Sequence, residues 1–115
     1  MNVKIYHNPR CSKSRQTLQL LQDKGLDIEI IDCLKTPPTA SELDIILQKL
    51  NMEPRELMRK SEAEYKESGL DNSNLDRQAL IEGMVANPKL IERPIVLAND
   101  KAAIGRPPEN VLTIL

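Results

Sequence analysis

Nine residues near the start of the chain, His7-Asn8-Pro9-Arg10-Cys11-Ser12-Lys13-Ser14-Arg15, concentrate its chemically capable groups. A thiol is a nucleophile only as the thiolate. A helix N-terminus and nearby cations lower its pKa from the usual ~8.5. Cys11 follows a short apolar strand and opens an amphipathic helix, with Arg10, Lys13 and Arg15 around it. The same free N–H groups and cations would hold an oxyanion against the sulfur. The segment therefore points to a reactive Cys acting on a small anion. The competing reading is an inert, buried Cys. Polar flanks and a strand-to-helix turn weigh against it.

The spacing from Cys11 to Ser14 is C-x-x-S. No second Cys stands at the C-x-x-C distance, so a local dithiol exchange is unavailable and any resolving thiol comes from elsewhere. His7, four residues before Cys11, can support the thiolate as a cation or hydrogen-bond donor, or it can cap the turn. Ser12 and Ser14 can donate to a sulfur or an oxyanion, or cap the helix. Seven arginines are spread along the chain: Arg10, Arg15, Arg55, Arg59, Arg77, Arg93 and Arg106. Most surface arginines are simply solvated. Arg93 and Arg106 differ because each immediately precedes a proline, which restricts the residue before it to extended conformations. The direction of these two side chains is thus partly set, and guanidinium forks suit oxyanions. Arg59 has no such local argument. Cys33 lies just past the second predicted strand, near the same sheet end as Cys11. It reads either as a small apolar space-filler or as an occasional resolving thiol.

The elements that must position these groups are legible from periodicity. Residues 2–6 alternate, with Val3 and Ile5 on one face, and predict a strand. Ser12 to Lys24 predict a helix with Leu18 and Leu21 inward, Leu20 widening the stripe and Gly25 as C-terminal cap. Residues 27–32 predict a second strand, completing a parallel βαβ unit. Thr39-Ala-Ser-Glu42 and Ser61-x-x-Glu64 fit capping boxes. Pro54 suits the first turn of a helix, and residues 76–86 predict another. Strand signals return at 95–97 and 101–104 around a plausible Asn99-Asp100 hairpin turn. Pro107-Pro108 starts a last helix with Val111, Leu112 and Leu115 as its apolar residues. The order predicts an α/β, thioredoxin-like domain over 1–115. Its core would comprise 1–36 and 88–115, with a helical insertion at 37–87 between the βαβ and ββα halves of a four-stranded mixed sheet. Arg93-Pro94 would supply the strand-initial proline of that fold, often cis.

Composition excludes several classes. A chain of 115 residues suits one domain, with no room for a second full core. Two Tyr and no Phe or Trp leave almost nothing to stack on bases, and a formal net charge of −1 provides no basic surface for a duplex. No nucleic-acid or membrane partner is expected. No apolar run approaches the ~20 residues of a membrane span, and the first residues lack the apolar segment of a secretory signal. A cytoplasmic location with reduced thiols is expected. Two Cys and one His are poor material for zinc, so no metal site is expected.

Five ordered segments then carry a resemblance that spans essentially the whole chain. HNPRCSKSR, DCLKTPPTASEL, LMRKSEAEYKESGL, IERPIVL and IGRPPENVLTIL resemble segments of the glutaredoxin-dependent arsenate reductases. The resemblance implies a Cys11 nucleophile that forms a covalent adduct with arsenate. It implies Arg59, Arg93 and Arg106 as oxyanion-binding residues, and His7 and Ser14 as aids to thiolate formation. It further implies glutathione as co-substrate, glutaredoxin as a transient partner, no bound cofactor and a monomer. A sister branch of regulators that bind RNA polymerase typically carries C-x-x-C where Cys11 and Ser14 stand. A monothiol glutaredoxin would not need three guanidinium groups. These remain the alternative readings: a thiol-redox or polymerase-binding protein of the same fold.

Overall fold

A computed structural model describes residues 2–115. The chain forms two compact units. One is built from residues up to Thr36 together with Arg93–Leu115, and the other from Pro37–Glu92. The first contains a four-stranded sheet. β1 (Asn2–His7), β2 (Asp27–Asp32), β3 (Ile95–Ala98) and β4 (Lys101–Ile104) lie in the order β2-β1-β3-β4. β1 and β2 are parallel, joined through α1 (Ser12–Asp23), while β3 runs antiparallel to both β1 and β4. This mixed sheet is the thioredoxin-like arrangement expected from the order of elements.

The core of this unit follows from strand alternation. Ile5 pairs with Val96 and Val96 with Ala103, so their side chains share one face. Val3, Ile5, Val96, Ala98 and Ala103 pack there with Leu21 of α1 and with Val111 and Ile114. The β3–β4 turn is the two-residue hairpin expected. Asn99 and Asp100 have φ of 53° and 61°, the left-handed pair that lets a short turn match strand twist. Gly25, with φ 70°, ends α1 by donating its N–H to the Gln22 carbonyl.

Two packing faces differ from the apolar pattern. The fully buried residues of α1 are Ser14, Thr17 and Leu21, while Leu18 and Leu20 are only partly buried. Hydropathy hid Ser14 and Thr17 because their hydroxyls find partners inside the fold. The last helix, Pro108–Ile114, is a 3₁₀ helix whose buried face is Pro108, Val111 and Ile114. A three-residue repeat selects every third residue, which leaves Leu112 exposed and Leu115 only partly buried.

The second unit is helical: α2 (Ala40–Leu50), α3 (Pro54–Leu57), α4 (Ala63–Glu67) and α5 (Arg77–Ala86). Thr39 and Glu42 form the expected capping box. The Ser61–Glu64 box does not form; Glu62 precedes α4, with no side-chain cap. Leu43, Ile46 and Leu47 of α2 are buried, as are Leu80, Ile81 and Met84 of α5, and the two helices touch. The insertion thus has apolar packing of its own, which a single-core reading did not anticipate. Its boundary also lies at 92/93, not 87/88. Met58 bridges Ile91, the Arg59 N–H donates to the Leu90 carbonyl and the Glu92 N–H to the Leu57 carbonyl, tying 88–92 to the helices.

Leu21→Ala removes a fully buried side chain that holds α1 against the sheet. It is expected to destabilise the protein by about 2–5 kcal/mol, read as a lower urea midpoint. Leu18→Ala should cost clearly less.

Candidate active site

Cys11 is the N-cap residue of α1, extended at φ −92° and ψ 123°. Asn8 builds the turn that puts it there. The Asn8 carbonyl accepts the Cys11 N–H at 3.0 Å, and its Oδ1 accepts the Arg10 N–H at 3.0 Å. Arg15 reaches back from α1 and donates to the Pro9 carbonyl at 2.9 Å. Cys11 itself is part-exposed and unpaired in any disulfide.

Arginine arrives from the opposite end of the chain. Arg106 donates from Nη2 to Cys11 Sγ at 3.2 Å and from Nε to the Arg93 carbonyl at 2.7 Å. The β3–β4 hairpin explains this convergence. Ile95 pairs with Ile104, and the Gly105 N–H donates to the Pro94 carbonyl at 2.9 Å, so the ladder continues outward. One step further, residue 93 stands opposite residue 106. The peptide bonds Arg93-Pro94 and Arg106-Pro107 are both cis. The Arg93 side chain is buried at 9 % relative exposure and acts electrostatically on Cys11.

Burial works against a charged sulfur here. It is outweighed by the Ser14 N–H, the Arg106 charge, the Lys13 N–H and the Arg93 charge, and the Cys11 pKa falls below the ordinary thiol value. No strict capping hydrogen bond closes on the side chain, so the two backbone N–H groups act as oriented dipoles of the helix start.

Ser14 and His7 form a separate pair. The buried Ser14 hydroxyl accepts the Asn8 N–H at 3.0 Å and shares a 2.6 Å hydrogen bond with His7 Nδ1. Desolvation lowers the His7 pKa, with the Arg15 charge adding to it and Asp32 and the Ser14 hydrogen bond opposing. Burial thus disfavours an imidazolium at His7, and its Nδ1 is engaged by Ser14. Ser14 in turn presents its backbone N–H to the Cys11 sulfur.

Cys33 continues the β1–β2 ladder, its N–H donating to the His7 carbonyl at 3.0 Å. Burial pushes its thiol up, helped by the charges of Asp32 and Cys11, and Arg93 only partly compensates. Cys33 is thus a buried, protonated thiol, in keeping with the space-filling reading. Arg59 belongs to the helical unit, where Glu62 and Glu92 flank it at 3.5 and 3.9 Å. Arg55 and Arg77 have structural partners. Arg55 donates to Tyr65 Oη at 3.1 Å, to the Leu70 carbonyl at 2.7 Å and to the Asn72 carbonyl; Arg77 pairs with Asp44 at 2.8 Å. Sequence reading singled out neither Thr17 nor Gly105, which meet directly before Arg106, the Thr17 hydroxyl lying 3.3 Å from the Gly105 carbonyl.

A thioredoxin-like sheet with a low-pKa Cys at the start of its first helix, faced by two arginines, defines a thiolate–guanidinium site. Comparison with known proteins narrows the class. The ArsC family profile matches residues 6–114. An uncharacterized Escherichia coli K12 protein, YfgD, is 58% identical over 114 residues, covering 98% of this chain and 96% of its own. An arsenate reductase of Neisseria meningitidis is 53% identical over 114 residues, covering 98% of this chain and 97% of its own. A solved structure of arsenate reductase from Vibrio cholerae superposes with a TM-score of 0.96 at 51% identity, covering 100% of this chain and 98% of its own. The chain belongs to the ArsC family.

In the native protein at pH 7, iodoacetamide is expected to label Cys11 and spare Cys33, as peptide mass mapping would show. Arg106→Ala should move the Cys11 alkylation profile to higher pH, because a cation that favours the thiolate is lost. An unchanged profile would show that the guanidinium does not act on the sulfur.

Proposed function

We propose that this chain is an arsenate reductase that works through a covalent Cys11–arsenate adduct and takes its electrons from glutathione and glutaredoxin. The observation that carries the reading is the 3.2 Å contact between Arg106 Nη2 and Cys11 Sγ at a helix start. It puts a two-pronged oxyanion ligand and a nucleophile in one place. Membership of the ArsC family and likeness to proteins named arsenate reductase favour arsenate as the anion.

The Cys11 thiolate attacks arsenic, a sulfur–arsenic bond forms, and one arsenate oxygen leaves as water after protonation. Arg93 and Arg106 offset the negative charge on the remaining oxygens, and Arg59 is assigned the same task from the family resemblance. The His7–Ser14 pair holds the helix start so that its N–H groups stay aimed at the sulfur. A glutathione thiol then attacks the adduct. Two electrons pass to arsenic, the thiols end as a disulfide, arsenite leaves, and glutaredoxin reduces that disulfide. No Cys at residue 14 competes as a local resolving thiol, and Cys33 is held protonated. External thiols therefore suit the site. No described helix is long and apolar enough to cross a membrane, and we assign the protein to the cytoplasm, where glutathione is abundant, acting as a monomer without a bound cofactor.

The deciding assay follows arsenite formation with glutathione and glutaredoxin each added and withheld. Turnover should need both. Cys11→Ser should abolish it and Cys33→Ser should keep most of it. Arg93→Ala or Arg106→Ala should lower kcat/KM by roughly 10²-fold. Normal arsenite production by Cys11→Ser would sink the adduct mechanism.

A further inference from the structure

Gly105 passes over α1 with no space for a side chain. A Cβ there would overlap Thr17 Oγ1 and come within 2.9 Å of Thr17 Cγ2 and 2.8 Å of Pro94 Cγ. The backbone does not require glycine for its torsions, since φ at Gly105 is not in the left-handed region. What the position requires is closeness.

Thr17 is fully buried, and its hydroxyl is shared. It donates to the Lys13 carbonyl at 2.8 Å and faces the Gly105 carbonyl at 3.3 Å. One proton thus bridges the first turn of α1 to the peptide immediately before Arg106. On its other side the Gly105 N–H donates to the Pro94 carbonyl at 2.9 Å. Three segments meet at this residue: the helix start that aims N–H groups at Cys11, the Arg93-Pro94 entry to β3, and the β4 exit that carries Arg106. A side chain as long as arginine has many rotamers, so its fork stays on one sulfur only if its backbone is placed closely.

We propose that Thr17 and Gly105 are positioning residues that hold the Arg106 guanidinium against the Cys11 sulfur. Their role is indirect: they set the distance from α1 at which Arg106 leaves the sheet. The inference refines the thiolate–guanidinium site, and its readout is thiol chemistry without arsenate. It therefore fails or stands separately from the arsenate reaction.

The charged and titratable groups acting on Cys11 are Arg106 after β4 and Arg93 before β3, with the buried thiol Cys33 after β2 coupled to it. Burial disfavours a charge on His7 at the end of β1. Among these, Arg106 is the group that a shift at residue 105 displaces first.

The test is the pH profile of Cys11 alkylation by iodoacetamide in full-length protein, with urea unfolding run beside it. Gly105→Ala and Thr17→Val should each move the profile to higher pH and slow alkylation at pH 7, by roughly three- to tenfold for Gly105→Ala. Thr17→Ser keeps the hydroxyl and should stay near the parent. In an Arg106→Ala background the Gly105→Ala and Thr17→Val shifts should vanish, since the group they position is gone. A purely structural role would lower the urea midpoint in both backgrounds and leave the profile alone. Should Gly105→Ala not fold, the Thr17→Val and Thr17→Ser pair carries the same comparison. Folded variants with an unchanged profile, or shifts that persist undiminished without Arg106, would overturn the proposal.

Discussion

Everything in the sheet unit serves one opposed pair of effects at a single sulfur. Partial burial disfavours a thiolate at residue 11, while backbone dipoles and two guanidinium charges favour it more strongly. The favourable terms come from opposite ends of the sequence. The N–H groups belong to the first turn of α1, and the charges belong to residues 93 and 106. Neither source alone places a cation and an oriented dipole on the same atom. The sheet order β2-β1-β3-β4 makes them neighbours by setting β3 beside β1.

The sulfur's surroundings also separate roles that chemistry alone would leave mixed. Cys11 and Cys33 are the same side chain with opposite tendencies, because one caps a helix among cations and the other is buried beside Asp32. His7 and Arg106 are both potential cations. Desolvation disfavours the protonated histidine, which pairs with Ser14 inside the fold, whereas the guanidinium meets the sulfur directly. Environment, more than residue type, decides which group is reactive.

Much of this was readable from residues alone, and the gaps have physical causes. The strands, α1 and the two-residue hairpin turn declare themselves through alternation, capping glycine and the Asn99-Asp100 pair. Cys11 was conspicuous because a thiol among cations at a strand-to-helix turn is chemically unusual. Arg93 and Arg106 could be singled out only as residues before prolines; their convergence needs the register of β3 with β4. Ser14 and Thr17 were missed as core residues because hydropathy counts a hydroxyl as polar whether or not it has a partner. The Ser61–Glu64 box failed because α4 starts one residue later, with Glu62 as its N-cap, which takes Glu64 out of the third helical position that the box requires. Of the apolar residues read in the last helix, Val111 is buried but Leu112 is exposed, because a period of three aligns Val111 with Pro108 and Ile114 instead.

The hairpin has one further consequence, for which changes the chain can tolerate. Asn99 and Asp100 sit at the far end of β3 and β4 from the sulfur, at an exposed tip where inserted or deleted residues are usually harmless. Here the tip acts as a ruler. Its two-residue length fixes the pairing that brings position 93 opposite position 106, and a slip of one residue would turn every side chain of one strand to the other face. Length variation at this distant loop should therefore be as damaging as replacing an arginine beside Cys11, and a homologue with a longer turn would need a compensating bulge to keep the same site.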